Sequence, residues 1–120
     1  MTKKILLVDD DEDMCSTLAD VLTLDTQFEV DYTVNPLDAL DKIKETEYSL
    51  IIIDYKMPEM NGIELLGHIK SIQKNALVLM LTAFISTELI EEAQKAGAAK
   101  VLSKFIWPSE ISRQISEILK

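Results

Sequence analysis

Short apolar blocks alternate with segments of helical periodicity along the whole chain, and this alternation restricts the fold more than any other feature. Two blocks, residues 50–53 and 76–81, contain only apolar side chains, as in strands that are covered on both faces. Between the blocks, apolar residues recur three or four positions apart, as on one side of a helix. The predicted strands cover residues 4–8, 28–34, 50–53, 76–81 and 101–102. Five strand–helix units in succession predict an α/β fold, a doubly wound five-stranded parallel sheet with helices on both faces.

Turn and cap residues mark several of the predicted helix ends. Asn35 and Pro36 indicate a helix start, because asparagine caps free amides and proline suits the first turn. Gly97 lies where the fourth predicted helix is expected to end.

Residues 28–34 alternate apolar and polar side chains, which predicts a strand with one buried face. Gly67 lies inside the third predicted helix, where glycine costs roughly 1 kcal/mol relative to alanine. It either allows close packing or is simply tolerated, and we favour the second interpretation.

The composition excludes several classes of protein. The 120 residues are enough for one domain, residues 1–120, and 21 Asp and Glu against 12 Lys and Arg give a net charge of −9. A surface so acidic is poorly suited to bind nucleic-acid phosphates or anionic lipid. The single cysteine, Cys15, excludes an internal disulfide and is expected to pack in the first helix, and no Cys/His cluster offers a zinc site. No apolar run is long enough for a membrane span or a signal peptide, so we expect a cytoplasmic protein.

Acidic, hydroxyl and amino side chains directly follow the predicted strands. Asp9 and Asp10 follow the first strand, and Asp54 follows the third. Thr82 and Lys104 follow the fourth and the fifth. Sites in open parallel sheets form beyond the carboxyl ends of the strands, so we expect these side chains to meet. Three carboxylates would repel one another and raise at least one pKa unless a cation neutralises them. Carboxylates with water suit Mg²⁺, which is the predicted cofactor.

Asp54 is the candidate nucleophile. A carboxylate held beside Mg²⁺ and an amine can attack phosphorus and form an acyl phosphate. Such a transfer mainly needs positioning and charge neutralisation. Thr82 is a candidate to hydrogen-bond a phosphoryl oxygen. Simpler roles stay open at this point: Asp54 as a turn former or cap, and Thr82 as the cap of the following helix. The further acids at residues 11–13 are expected only to favour the N-terminus of the first helix.

Together these residues resemble the receiver domain of bacterial two-component response regulators. The resemblance rests on residues 6–10, residues 53–58 with Gly62, Thr82 with Ala83, and Lys104. It extends over essentially the whole chain and implies a flavodoxin-like (βα)5 fold with strand order 2-1-3-4-5.

The resemblance implies a role for each residue of the acidic cluster. Asp54 would accept a phosphoryl group from the phosphohistidine of a sensor histidine kinase or a phosphotransfer protein. Asp10 would bind Mg²⁺ directly, and Asp9 would act on the ion largely through water. The backbone carbonyl of Lys56 would be a further ligand.

Two more residues are implied in switching. Thr82 would turn toward the phosphoryl group, and Lys104 would pair with it. The family then changes a partner-binding face made by the fourth helix, the fifth strand and the fifth helix, which also supports homodimers. Because such domains promote only their own phosphoryl transfer and hydrolysis, we do not expect an enzyme. We also expect no direct binding to nucleic acid or to a membrane.

Two positions depart from the family pattern. Phe105 follows Lys104 where the family usually has proline, so a trans peptide and a reshaped loop are expected. Val101 stands where the family has a switch aromatic. Phe84 is a candidate for a different aromatic gate in switching, and its bulk is also expected to slow hydrolysis by excluding the attacking water. Of the apolar residues after Lys104, at least one should pack under the last helix; for Trp107 we favour packing over a partner surface.

Three other functions fit the sequence less well. A receiver-like interaction module with altered or phosphate-independent switching would suit the changes at Val101 and Phe105, although the complete set of polar site residues argues against it. A phosphatase with an aspartyl nucleophile usually needs a longer chain with a cap over the site. A flavin-binding domain of similar fold would carry glycines and hydroxyls after the first strand, where this chain has five acids.

Overall fold

The computed structural model describes residues 2–25 and 27–120, in which five strands alternate with five helices. The strands are β1 (Lys3–Val8), β2 (Phe28–Thr33), β3 (Leu50–Asp54), β4 (Val78–Thr82) and β5 (Lys100–Ser103). The helices are α1 (Glu12–Leu22), α2 (Pro36–Glu45), α3 (Gly62–Ile72), α4 (Thr87–Ala96) and α5 (Pro108–Ile118). All five predicted strand–helix units are present.

The five strands form one parallel sheet in the order β2-β1-β3-β4-β5. This confirms the predicted α/β fold and its strand order. In that order β1 and β3 are neighbours, and Val8 pairs with Ile53. The residues that follow these two strands therefore leave the sheet side by side, at the point where the strand order reverses.

Side chains of the central strands point alternately into two apolar cores, one on each face of the sheet. Leu6 and Ile51 belong to the core covered by α2, α3 and α4. Leu7 and Ile52 belong to the core covered by α1 and α5. Because β3 contributes to both cores, every residue of this strand is buried. The unbroken apolar run at residues 50–53 follows from this double burial.

The predicted helix ends are confirmed. The side chain of Asn35 accepts a hydrogen bond from the backbone N–H of Leu37 (2.8 Å) ahead of α2. Asp11 caps α1 in the same way, so its acid serves the helix terminus. Gly97 ends α4 with φ at 111°, a conformation that side chains with a Cβ rarely adopt. Gly67 is exposed, and a Cβ there would meet nothing within 4 Å, so this glycine is tolerated rather than required.

Two predictions about side-chain exposure were wrong. The second strand was predicted to extend to residue 34 with Tyr32 and Val34 on its buried face, but these side chains are 38% and 43% exposed, while Thr33 is buried. β2 is an edge strand with a neighbour on one side only, so the end of this strand is poorly covered. Trp107 is 80% exposed, because Ile106 instead fills the space beside the core under α5.

Candidate functional site

Asp9, Asp54 and Lys104 form a buried ionic cluster at the carboxyl edge of the sheet. Asp9 follows β1 directly and Asp54 is the last residue of β3, and both are nearly inaccessible, at 6% and 5% exposed. The loop after β5 brings Lys104 across the edge. The Lys104 Nζ lies 2.7 Å from Asp9 Oδ2 and 3.0 Å from Asp54 Oδ2. One ammonium group thus bridges two carboxylates that come from separate strands.

Backbone contacts fix the position of Asp9. The N–H of Asp11 donates to Asp9 Oδ1 (3.0 Å), and the N–H of Asp9 donates to the Thr33 carbonyl (3.2 Å). The thiol of Cys15 donates to the Asp9 carbonyl, with 3.6 Å between sulfur and oxygen. Cys15 packs in the α1 core as predicted. Its contact with Asp9 was not predicted, because a helical apolar pattern does not reveal a hydrogen bond to the preceding loop.

Burial and the neighbouring charges set the protonation of the cluster. Burial raises the pKa of Asp54 from 3.8 to about 6; the charge of Asp9 adds to the rise, and Lys104 opposes it. For Lys104, burial disfavours the ammonium, but the hydrogen bonds to Asp9 and Asp54 outweigh it and raise the pKa. The amine therefore stays charged at neutral pH. The cluster keeps an excess of negative charge that a bound cation would relieve.

The carboxylates of Asp9, Asp10 and Asp54 offer oxygen atoms that all lie within 4.8 Å of one another. Asp10 is exposed, whereas the other two are buried, so the group opens to solvent on the Asp10 side. A cluster of carboxylate oxygens with access to water fits the needs of Mg²⁺, which keeps several waters and takes few protein ligands. Lys56 lines the same surface cavity as Asp10.

Thr82 lies at the end of β4 and is fully buried. Its Oγ1 accepts a hydrogen bond from the backbone N–H of Phe84 (3.0 Å). It does not cap α4, since that role belongs to Ser86, whose Oγ accepts from the N–H of Leu89 (3.1 Å). The simpler role considered for Thr82 was therefore wrong. The backbone N–H of Lys104 donates to the Thr82 carbonyl (2.9 Å), which ties the loops after β4 and β5 together.

The residues that depart from the receiver pattern, Val101 and Phe105, differ in their exposure. Val101 is half-buried against the core below α4, and Phe105 is 82% exposed. No cis peptide bond occurs within residues 2–25 and 27–120, as predicted for the bond after Lys104. Phe84 is 61% exposed, and the Lys56 Nζ lies 5.1 Å from the centre of its ring. This cation–π contact joins the loops after β3 and β4, and the sequence did not predict it.

Gly62 allows α3 to approach the end of β3 closely. A Cβ on Gly62 would lie 2.6 Å from the Asp54 carbonyl oxygen and 2.9 Å from the Tyr55 Cα, distances that real Cβ atoms essentially never show. The N–H of Gly62 also donates to the Tyr55 carbonyl (2.6 Å). In the sequence, Gly62 stood out only as part of the motif that follows the third strand. Its contact with the backbone of Asp54 makes it a positioning residue for the acidic cluster.

Comparison with known proteins assigns the family. The chain matches the sequence profile of the response regulator receiver domain over residues 5–116. The chain belongs to the response regulator receiver family. It is 32% identical to the chemotaxis protein CheY of Thermotoga maritima over 120 residues, the full length of both chains. It is 33% identical to the sporulation initiation phosphotransferase F of Bacillus subtilis, over 92% of this chain and 86% of that protein.

Longer proteins and solved structures contain the same domain. The transcriptional regulatory protein ZraR of Klebsiella oxytoca is 36% identical over 115 residues, which are 26% of that protein, so the receiver chain spans about a quarter of it. A CheY-like receiver domain of Methanospirillum hungatei superposes with a TM-score of 0.92 at 28% identity, covering 99% of this chain and 94% of that one.

Membership of the receiver family gives the broad function. Receiver domains are signalling domains of two-component systems rather than classical enzymes, and they interact with histidine kinases or phosphotransfer proteins. Within the described residues, the helices are too short or too polar to cross a membrane.

Proposed function

We propose that Asp54 accepts a phosphoryl group from the phosphohistidine of a sensor histidine kinase or phosphotransfer protein, and that residues 1–120 act as one receiver domain. The observation that carries this proposal is the Lys104 ammonium, which contacts both Asp9 and Asp54 while Asp10 lies at the open side of the cluster. This arrangement supplies a carboxylate nucleophile, an amine for the incoming charge and oxygen ligands for a cation.

In the forward step, a carboxylate oxygen of Asp54 attacks the phosphorus of the phosphohistidine in line with the ring nitrogen. The new bond joins oxygen to phosphorus, and the phosphorus–nitrogen bond breaks with its electron pair returning to the imidazole. Lys104 exchanges its contact with the Asp54 carboxylate for one with a phosphoryl oxygen. The signal ends by hydrolysis. Water attacks the phosphorus of the acyl phosphate, inorganic phosphate leaves, and Asp54 returns to its free carboxylate.

A divalent cation completes the charge balance of this site. The carboxylates of Asp9, Asp10 and Asp54 would hold Mg²⁺, and the resemblance to receiver domains adds the backbone carbonyl of Lys56 as a further ligand. The bound ion would supply positive charge that neutralises the phosphoryl oxygens during transfer. The chain's own contribution is to fix the carboxylates, through the backbone hydrogen bonds to Asp9 and the close approach of Gly62 behind Asp54.

Thr82 is the first residue to respond to phosphorylation in this proposal. Its hydroxyl, which now accepts from the Phe84 N–H, turns to donate to a phosphoryl oxygen. Loss of the Phe84 contact frees the loop between β4 and α4. The face made by α4, β5 and α5 then changes its affinity for partners, including a second copy of the chain. The domain works in the cytoplasm and contacts neither nucleic acid nor membrane itself.

A second candidate is a receiver-like interaction module whose switching is altered or independent of phosphate. The half-buried Val101 at the usual aromatic position and the exposed Phe105 favour it. The two candidates differ in one response. Dimerisation measured with and without a beryllofluoride mimic of the phosphoryl group should change for a switching receiver and stay the same for the module.

The proposal is tested with acetyl phosphate or phosphoramidate as the phosphodonor, in the presence of Mg²⁺, with intact-protein mass spectrometry as the measurement. The wild-type chain should gain one phosphoryl group, and a metal chelator should prevent the gain. The Asp54→Asn variant should gain none, while the control Asp41→Asn, at an exposed acid of α2, should behave as wild type. Equal labelling of the Asp54→Asn variant would contradict the assignment.

A further inference from the structure

A small cavity lies between the loop after β3 and the first turns of α4. Its volume is about 230 Å³, and its lining consists of Tyr55, Phe84, Ser86, Glu88, Leu89 and Glu92. We call it the α4 cavity. Pockets for small organic ligands usually measure roughly 300–1,000 Å³, so this one has room for a single side chain rather than for a cofactor. Its lining includes no residue of β5 or α5, which separates it from the partner face considered above.

Backbone hydrogen bonds hold the aromatic walls of the α4 cavity in place. The N–H of Tyr55 donates to the Leu81 carbonyl (3.3 Å), and the Tyr55 carbonyl accepts from the N–H of Gly62 (2.6 Å). The N–H of Phe84 donates to Thr82 Oγ1 (3.0 Å). The cavity is therefore preformed, and filling it requires little additional ordering of the chain.

Two of the side chains that line the α4 cavity are acids. Glu88 and Glu92 are exposed and lie four positions apart, so they are on the same side of α4, one turn from each other. Within residues 2–25 and 27–120, neither glutamate takes part in an ion pair. The cavity therefore attracts a cation and repels a phosphate or another carboxylate.

The aromatic lining indicates which kind of cation fits. Tyr55 and Phe84 add two rings, and the Lys56 Nζ already lies 5.1 Å from the centre of the Phe84 ring, whereas the structure shows no such cation at Tyr55 in the part of the chain that it describes. A guanidinium group is planar, stacks on aromatic rings and forms paired hydrogen bonds with carboxylates. An ammonium group is more strongly hydrated and gains less from such a lining. The combination of rings and carboxylates thus favours arginine over lysine.

We propose that the α4 cavity binds an arginine side chain of a protein partner. The guanidinium pairs with Glu88 and Glu92, and the aromatic lining covers its planar face. Binding of this kind requires neither Mg²⁺ nor phosphorylation of Asp54. The proposal is therefore tested on the unphosphorylated, metal-free chain, where it can succeed or fail separately from the proposed phosphoryl transfer.

The test is an NMR titration of the isotope-labelled full chain, in the presence of a chelator, with the blocked peptide acetyl-Gly-Ser-Arg-Ser-Gly-amide, in which arginine carries the only charge. Backbone shifts should centre on residues 55 and 84–92. The same peptide with citrulline, the uncharged analogue of arginine, should bind at least fivefold more weakly, and the lysine peptide at least twofold more weakly. Equal affinity for the citrulline or the lysine peptide would overturn the proposal.

Variants of the chain locate the contact. Glu88→Gln and Glu92→Gln should each lower the affinity for the arginine peptide at least threefold. Phe84→Leu, which keeps an apolar group but removes the ring, should also lower it. The matched control is Glu91→Gln, at an exposed acid of the same helix that does not line the cavity, and it should bind within twofold of wild type.

Four results would contradict the proposal: an equal loss of affinity in the Glu91→Gln control, unchanged affinity in both glutamate variants of the cavity, shifts centred elsewhere on the chain, or no binding of the arginine peptide. Shifts at residues 55 and 84–92 when the chain alone is diluted would also contradict it, because the occupant would then be a second copy of the chain.

Discussion

At the scale of single residues, the site depends on Asp54, whose carboxylate is buried in surroundings that disfavour its charged form. Burial and the charge of Asp9 raise the pKa of Asp54 to about 6, although Lys104 lies 3.0 Å away. In the folded chain Asp54 thus keeps its proton to a higher pH than in the unfolded chain. The stability that Asp54 contributes is full below about pH 4 and is lost as the pH rises through about 6.

We therefore expect the Asp54→Asn variant to gain stability over wild type in metal-free buffer as the pH rises from about 4 to about 7. The amide carries no charge to desolvate, and the gain should be about 1–2 kcal/mol, below the full free energy of the pKa shift because solvent screens the charge. Urea unfolding with a chelator present measures it. A stability difference that does not change with pH would contradict the buried-charge explanation, and Asp41→Asn is the control.

Phe84 gives a second prediction at this scale. Its ring lies under the Lys56 ammonium, and we expect it to restrict the access of water to Asp54. We expect Phe84→Ala to shorten the lifetime of the phosphorylated protein by a few fold, measured by loss of the mass increase after removal of the phosphodonor. Phe105→Ala, at another exposed aromatic in the next loop, should leave the lifetime unchanged. An unchanged lifetime in Phe84→Ala would show that the ring does not control access.

The sequence predicted the residues of the site better than their contacts. Asp9, Asp10, Asp54 and Lys104 were predicted to meet because each follows a strand, and parallel strands end at one edge. The contacts that Cys15 and Phe84 make could not be predicted, since they depend on how loops of no regular pattern fold back on the strand ends. The roles of these residues in phosphoryl transfer remain predictions.

At the scale of elements, two glycines of the same helix have opposite roles. A Cβ at Gly62 would collide with the backbone of Asp54 and Tyr55, whereas a Cβ at Gly67 would meet open space. We expect Gly62→Ala to lose about 2 kcal/mol or more of unfolding free energy and to weaken Mg²⁺ binding, because the start of α3 must move away from β3. Gly67→Ala should gain up to about 1 kcal/mol, the ordinary helix preference for alanine.

Both changes are measured by urea unfolding, and Mg²⁺ binding by titration followed through NMR shifts of the strand ends. A Gly62→Ala variant as stable as Gly67→Ala would contradict the close approach of α3 to β3.

The boundaries of the helices followed well from the sequence, because caps such as Asn35 and Gly97 act locally. The exposure of Tyr32 did not, since the alternation in residues 28–34 indicates which side chains face inward but not how far neighbouring elements cover the end of the strand.

At the scale of the whole molecule, the strand order produces the site. With β1 and β3 adjacent at the centre of the sheet, Asp9 and Asp54 leave it side by side, and the loop after β5 supplies Lys104. The alternation of strands and helices predicted the sheet, and the resemblance to receiver domains implied its order.

The most direct measurement is to locate the phosphoryl group. The protein is treated with acetyl phosphate and Mg²⁺, reduced with borohydride, which converts an acyl phosphate of aspartate to homoserine, and digested for peptide mass spectrometry. We expect homoserine at position 54 and at no other aspartate, with none formed when Mg²⁺ is withheld. Homoserine at Asp9 or Asp10, or no conversion in a fully folded sample, would contradict the central claim that Asp54 is the phosphoacceptor.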